Sequence, residues 1–197
     1  MADLLATPAD LASLLQHDVD TATATLALQA ATAVVQAITG QRLVQVVGDV
    51  QVLDLDDYDG GPYLLLPERP VTAVSAVSVG DTVVTDYSTQ LSRSRLWRTY
   101  GWRSALTVYP AQPSTVTVTY SHGYAPTDQR LQLARAVTLS LAGVAYTNPS
   151  GAVREQIDDY AVAYDAASTR MGATPMLAAA LRRQYGRTPG SARLVTS

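Results

Sequence analysis

A chain of 197 residues with 47% hydrophobic and 16% charged side chains is long enough to bury a core and too apolar to be disordered. Its net charge of −3 argues against a general nucleic-acid binder, and no apolar run in it approaches the length of a membrane span. The absence of cysteine excludes disulfides, thiol chemistry and thiolate metal sites.

The first predicted element is a helix over 8–16. Thr7 stands at its cap, Pro8 at its first position and Asp10 three residues after the cap, where a carboxylate reaches back to the free backbone N–H groups. Leu11, Leu14 and Leu15 form its apolar stripe. A second helix is predicted over 20–39, with Leu26, Ala30, Val34 and Ile38 on one face, Ala27, Ala31 and Val35 beside it, and Gly40 as a left-handed stop. From residue 43 the period changes to two. In LVQVVGDVQVLDL, Val44, Val46, Val50 and Val52 share one face, Gly48 marks a bulge, and a further twist is expected near Leu53, where the apolar positions change face.

YLLLPERPV reads as a strand into a turn, because Pro67 and Pro70 have no N–H for a central ladder. VTAVSAVSV, TVVTDYS, RLWR and ALTVYP are short strands. STVTVTYS alternates, placing Val116, Val118 and Tyr120 inward and Thr115, Thr117 and Thr119 outward. After HGYAP the helical period returns, predicting a buried helix over 126–147 that Pro149 ends. An irregular stretch follows, then a helix capped by Thr174 with Pro175 at its first position and Gly186 as its stop. The expected fold class is α+β: a small helical bundle with an inserted antiparallel β region over 43–121. Residues 1–149 form the core of that organisation, and 150–197 hold the irregular segment, the last helix and a loose tail.

Charge is uneven along the chain. Residues 1–60 hold nine acidic residues and one arginine, whereas after Asp165 there are five arginines and no acid. Such a gradient suits a subunit that meets copies of itself or two different neighbours, and equally suits plain solvated faces. All 14 basic residues are arginine and phenylalanine is missing, a pattern of GC-rich codons, so arginine is not chosen here over lysine for its geometry.

Three stretches invite a chemical reading. In YSHGYAP, His122 lies between Ser121 and Gly123, but neighbours on a strand point to opposite faces, so a Ser–His pair is not available there. No G-x-S-x-G elbow occurs in the chain. His122 is therefore expected to build the corner between strand and helix, with no catalytic residue assigned. DLDDYDGG carries Asp54, Asp56, Asp57 and Asp59, but their spacing leaves the step of a calcium loop and Leu65 stands where a bidentate glutamate belongs. It reads as a polar hairpin tip, with weak cation binding left open and no metal site assigned. RSRLWRTYGWR interleaves Arg95 and Arg98 with Trp97 and Trp102, a composition shared by protein interfaces, ordinary hairpins and single-strand binders. No phosphate loop or dinucleotide fingerprint is present and no cofactor is expected.

ADLLATPADLASLL with AATAVVQAITGQRL, LLLPERPVTAVSAVSV, LWR with GW, VTVTYSHGY and ARAVTLSLAGVAYTNP together resemble the head–tail connector (adaptor) proteins of tailed phages, prophages and gene transfer agents. The resemblance spans about residues 3–149, with a β region longer than in the mostly helical smaller members. It implies a structural virion protein at the head–tail junction, not an enzyme. Such a protein forms a homo-oligomeric ring, commonly twelvefold, between the portal protein and a stopper or tail-completion protein. Double-stranded DNA passes through its lumen without sequence-specific binding, and no membrane is involved. Under that resemblance Arg182, Arg183, Arg187 and Arg193 are expected to meet the portal. Arg95, Trp97, Arg98, Trp102, Asp54, Asp56, Asp57 and Asp59 are expected at contacts with neighbouring subunits. A tail-completion or stopper protein is the near alternative, and a nucleic-acid-binding module the remote one.

Overall fold

The computed structural model describes residues 4–55, 61–102, 115–148, 154–157, 160–163 and 174–186. The chain divides into two units, one from Met1–Gly40 and Pro126–Gly186, the other built on Gln41–Ala125. The class is α+β, as the alternation of periods predicts.

In the first unit, helix α1 spans Pro8–Leu15 and opens on a complete capping box. The Thr7 hydroxyl accepts from the Asp10 backbone N–H (3.2 Å) and the Asp10 carboxylate accepts from that of Thr7 (2.9 Å). Arg135 reaches the same carboxylate at 3.1 Å. Helix α2, Thr21–Thr39, starts on Asp20, whose side chain accepts from Thr23 N–H at 2.8 Å, and stops at Gly40 with φ +71°. Its buried face is Ala24, Ala27, Leu28, Ala31 and Val35; Leu26, on the other predicted apolar face, is 67% exposed.

Helix α3, Gln132–Thr147, begins later than the predicted 126. Asp128 accepts from Arg130 N–H and starts a 3-10 turn over Gln129–Leu131, which leads into the helix. The Tyr146 hydroxyl near the end of α3 accepts from Asp20 N–H at 2.9 Å, tying that end to the start of α2. Strands β8 (Arg154–Ile157) and β9 (Tyr160–Ala163) pair antiparallel within the stretch read as irregular. Helix α4, Pro175–Tyr185, has the predicted Thr174 cap and buries Ala178, Leu181 and Tyr185. The Tyr185 hydroxyl donates to the Arg130 carbonyl.

The second unit holds a four-stranded antiparallel sheet in the order β1 (Val46–Asp54), β7 (Thr115–His122), β3 (Val71–Val79), β4 (Thr82–Val83). A three-stranded sheet is ordered β2 (Tyr63–Leu65), β6 (Arg95–Trp97), β5 (Ser88–Gln90). β7 keeps the predicted alternation without a break, burying Val116, Val118, Tyr120 and His122. β1 does not. Its register against β7 shifts between Val46 and Asp49, at Gly48 with φ +67°, so the change of face comes there and not near residue 53. One inserted residue turns a strand over, and Val50 (59% exposed) and Val52 (38%) end outside while Leu53 and Leu55 enter the core. The expected strand ALTVYP lies outside the described residues.

The candidate site: a buried polar cluster and two arginine surfaces

His122 ends β7 with its side chain fully buried, 5.3 Å ring to ring from Tyr120. Asp49, which the bulge at Gly48 turns inward, lies opposite. Its Oδ2 accepts from His122 Nε2 at 3.1 Å, from Gln51 Nε2 at 2.6 Å, and from the Arg42 guanidinium. Arg42 in turn donates its backbone N–H to Glu68 Oε2 at 2.8 Å, and Glu68 N–H donates to the Tyr120 hydroxyl at 3.3 Å. Gln41 Oε1 accepts from Arg69 N–H at 3.1 Å. The cluster closes the end of the sheet where the chain enters at Gln41 and leaves at Ala125. With Nε2–H donating to Asp49, His122 keeps a bare acceptor at Nδ1, which has no partner and costs less than a buried unpaired N–H would.

Ser121 takes no part in this cluster. Its hydroxyl faces the other side of the sheet and accepts from Gly48 N–H at 3.1 Å, holding the bulge. An Asp–His pair is thus present, but the adjacent hydroxyl is turned away from it and the imidazole is closed to solvent. Among the described residues no group of three or more His, Cys, Asp or Glu could hold a metal.

Burial holds the His122 imidazole below its ordinary value of 6.5, against the opposing pull of its Asp49 hydrogen bond. At neutral pH it is therefore uncharged, and the contact with Asp49 is a hydrogen bond and not an ion pair. For Asp49, burial works upward, but the Gln51 amide, the Arg42 charge and His122 together hold the carboxyl below 3.8. Burial also pushes the Tyr120 phenol upward.

Both shifts in the Asp49–His122 pair carry the same sign for stability. Below pH 6.5 an unfolded His122 takes a proton that the folded one refuses, and below 3.8 the same holds for Asp49. The contribution is complete above these values and is lost as pH falls through them towards the folded ones. Thermal melting at graded pH is expected to show a midpoint that falls on acidification from pH 6.5, with the upper part of the slope flattened in His122→Gln. A wild-type midpoint that stays level down to the carboxylate range would contradict this.

The arginine-aromatic stretch divides between surface and core. Arg95 and Trp97 lie on one face of β6, with the Arg95 guanidinium 3.9 Å over the Tyr63 ring and its Nε on Gln90 Oε1 at 2.6 Å. Arg98 pairs with Asp86 at 2.9 Å. Trp102 is fully buried, and its Nε1 donates to the Pro62 carbonyl at 3.1 Å. As a core residue of this unit it offers no surface to a neighbour. Asp54 is half-buried at the end of β1, while Asp56, Asp57 and Asp59 lie outside the described residues. Arg182 and Arg183 are exposed on the last turn of α4; Arg187 and Arg193 lie outside the described residues.

The sequence reading missed Arg42, Asp49 and Glu68. Only Glu68 left a local trace, a carboxylate in the otherwise apolar LLLPERPV that is 5% exposed in the fold.

No family model matches the chain, and no curated protein matches it. Its fold is similar to that of chains in gene transfer agent particles. One, from the neck of an empty particle computed with C6 symmetry, has a TM-score of 0.58 at 19% identity, covering 95% of this chain and 93% of the other. A chain of the native virion gives 0.57 at 19% identity over the same shares, 95% and 93%. One from the native neck computed with C12 symmetry gives 0.55 at 20% identity, over 93% and 90%. The chain therefore shares its fold, nearly end to end, with proteins of phage-like particle necks.

Proposed function

We propose that this protein is a structural subunit of a head–tail connector ring, seated between portal and stopper or tail-completion protein and lengthening the channel through which DNA passes. The observation that carries the reading is the match in fold over more than nine-tenths of both chains to a protein of a particle neck. Arg182 and Arg183, together with Arg187 and Arg193, are the proposed portal contact. Arg95, Trp97 and Arg98, with Asp54, Asp56, Asp57 and Asp59, are the proposed contacts to neighbouring subunits or other neck components.

Electron microscopy of the purified protein mixed with its own portal tests the reading, and the expected image is a ring stacked on the portal. Deleting residues 187–197 is expected to leave the melting temperature nearly unchanged and to abolish capture by the portal. Arg182→Ala with Arg183→Ala is expected to weaken capture partially, because exposed charges steer association more than they hold it. Capture of the tail-deleted protein at full strength would move the portal contact elsewhere. Binding to a preformed connector with none to the portal would make the chain a tail-completion protein instead.

A further inference from the structure

Helix α2 has an outer face that its own unit leaves bare. From Thr21 to Thr39 there is no charged side chain. One side is filled by Ala24, Ala27, Leu28, Ala31 and Val35, which are buried in the unit. The opposite side exposes Ala22, Leu26, Gln29, Ala33 and Ala37, with Gln29 its one polar residue and Thr21 and Thr23 exposed beside it in the first turn. A surface helix keeps charged and polar residues on its solvent side, and a helix apolar all round is a buried one. By length and composition α2 is apolar enough to cross a membrane, contrary to the sequence reading, yet only 33% of its apolar window is buried. Among the described residues nothing covers that face.

The pattern on that face specifies the cover. Positions 22, 26, 29 and 33 follow one another at intervals of four, three and four, the narrow seam against which a second helix packs. Ala22 and Ala33 allow close approach, and Leu26 supplies the side chain that inserts. With no cation, the face has nothing to offer a phosphate backbone and none of the basic residues that anchor a helix at a lipid surface. Insertion into a bilayer would also strip five buried side chains of their packing. Permanent contacts between copies are the interfaces that bury uncharged, apolar surface of this kind.

We propose that the outer face of α2 is covered by a helix of a second copy of this chain and forms the seam between adjacent subunits of the ring. This rests on the connector reading, whose fold relatives come from particle necks computed with C6 and C12 symmetry. A closed ring needs a head-to-tail contact, so α2 of one copy meets a different surface of the next.

The test uses the full chain mixed with its portal. Leu26→Asp is expected to abolish rings while leaving the melting temperature of the monomer unchanged, because Leu26 is already exposed. Wild-type rings are expected to survive high salt, since the seam has no charges to screen. Leu26→Cys places a sole thiol in a cysteine-free chain. Labelled there with benzophenone maleimide and mixed in trace amount with unlabelled protein, it is expected to give adducts with the mass of two copies. Undiminished rings with Leu26→Asp, rings that dissolve in salt, or adducts to the portal alone would each overturn the seam and leave the connector reading intact. No ring with the wild-type chain removes both. Should Leu26→Asp lower the melting temperature, the adduct identity decides.

Discussion

Gly123→Ala is expected to destabilise the β unit by about 3 kcal/mol or more, enough to show as a separate low-temperature transition or as insoluble protein. Gly123 has φ +87°, where an L side chain is strained in any surroundings. A Cβ at this position would fall on the Val44 carbonyl oxygen and lie 2.7 Å from its carbon. Both obstacles are backbone, and neither can move freely. Gly123 N–H donates to Pro70 O at 2.9 Å, and the next residue, Tyr124, donates to Leu43 O at 2.8 Å. Moving Val44 aside would strain the Leu43 and Gln45 bonds to Tyr124, moving Gly123 would strain its bond to Pro70, and the Asp49–His122 pair lies one residue away. A melting temperature within a degree or two of wild type would show that the corner has slack that the geometry denies it.

Trp102→Ala should cost about 3–5 kcal/mol, the range for removing a large buried ring and leaving a cavity. The ring is fully buried, stands 6.3 Å from Tyr87, and fixes the Pro62 carbonyl, which also accepts from Arg98 N–H at 2.8 Å. Trp102→Phe keeps most of the packing and leaves Pro62 its second donor, so a smaller loss, about 1–2 kcal/mol, is expected. Denaturant melts of the two variants check the order. If Trp102 were an anchor for a neighbouring subunit, truncation would leave the melt in place and weaken assembly alone. The fully buried position excludes that pattern.

The parts of the fold that were legible are those set by neighbours in sequence. Thr7 with Asp10, Asp20, Gly40 and Thr174 with Pro175 specify helix ends through bonds spanning three or four residues, and each stands where the sequence puts it. The β7 alternation was legible for the same reason. Face assignment failed where a single residue decides it. Gly48 marks the bulge in the sequence, but a period of two counted through it to residue 53 groups Val50 and Val52 with Val44 and Val46, whereas the register shifts between Val46 and Asp49. Leu26 stands on the predicted apolar face of α2, and apolarity is normally a sign of burial, yet it is 67% exposed. The polar cluster was out of reach altogether. Asp49 and His122 are 73 residues apart, and nothing in either local sequence names the other.

The chain enters the β unit through Leu43 and Gln45 and leaves it through Tyr124, and these strands are bonded to each other, Tyr124 N–H to Leu43 O and Gln45 N–H to Tyr124 O. Topologically the insertion is a loop tied shut at its own stem. A helical bundle interrupted between its second and third helices would ordinarily bear the entropy of closing that long excursion. Here the tie lies inside the insertion, so Leu43 and Tyr124, three and two residues from Gly40 and Pro126, are held together by their own hydrogen bonds. The arrangement makes the β unit exchangeable: lengthened, shortened or replaced above the stem, it leaves the bundle's chain path intact. A grafted segment closed by the same two hydrogen bonds and a Gly at position 123 is expected to be accepted in its place.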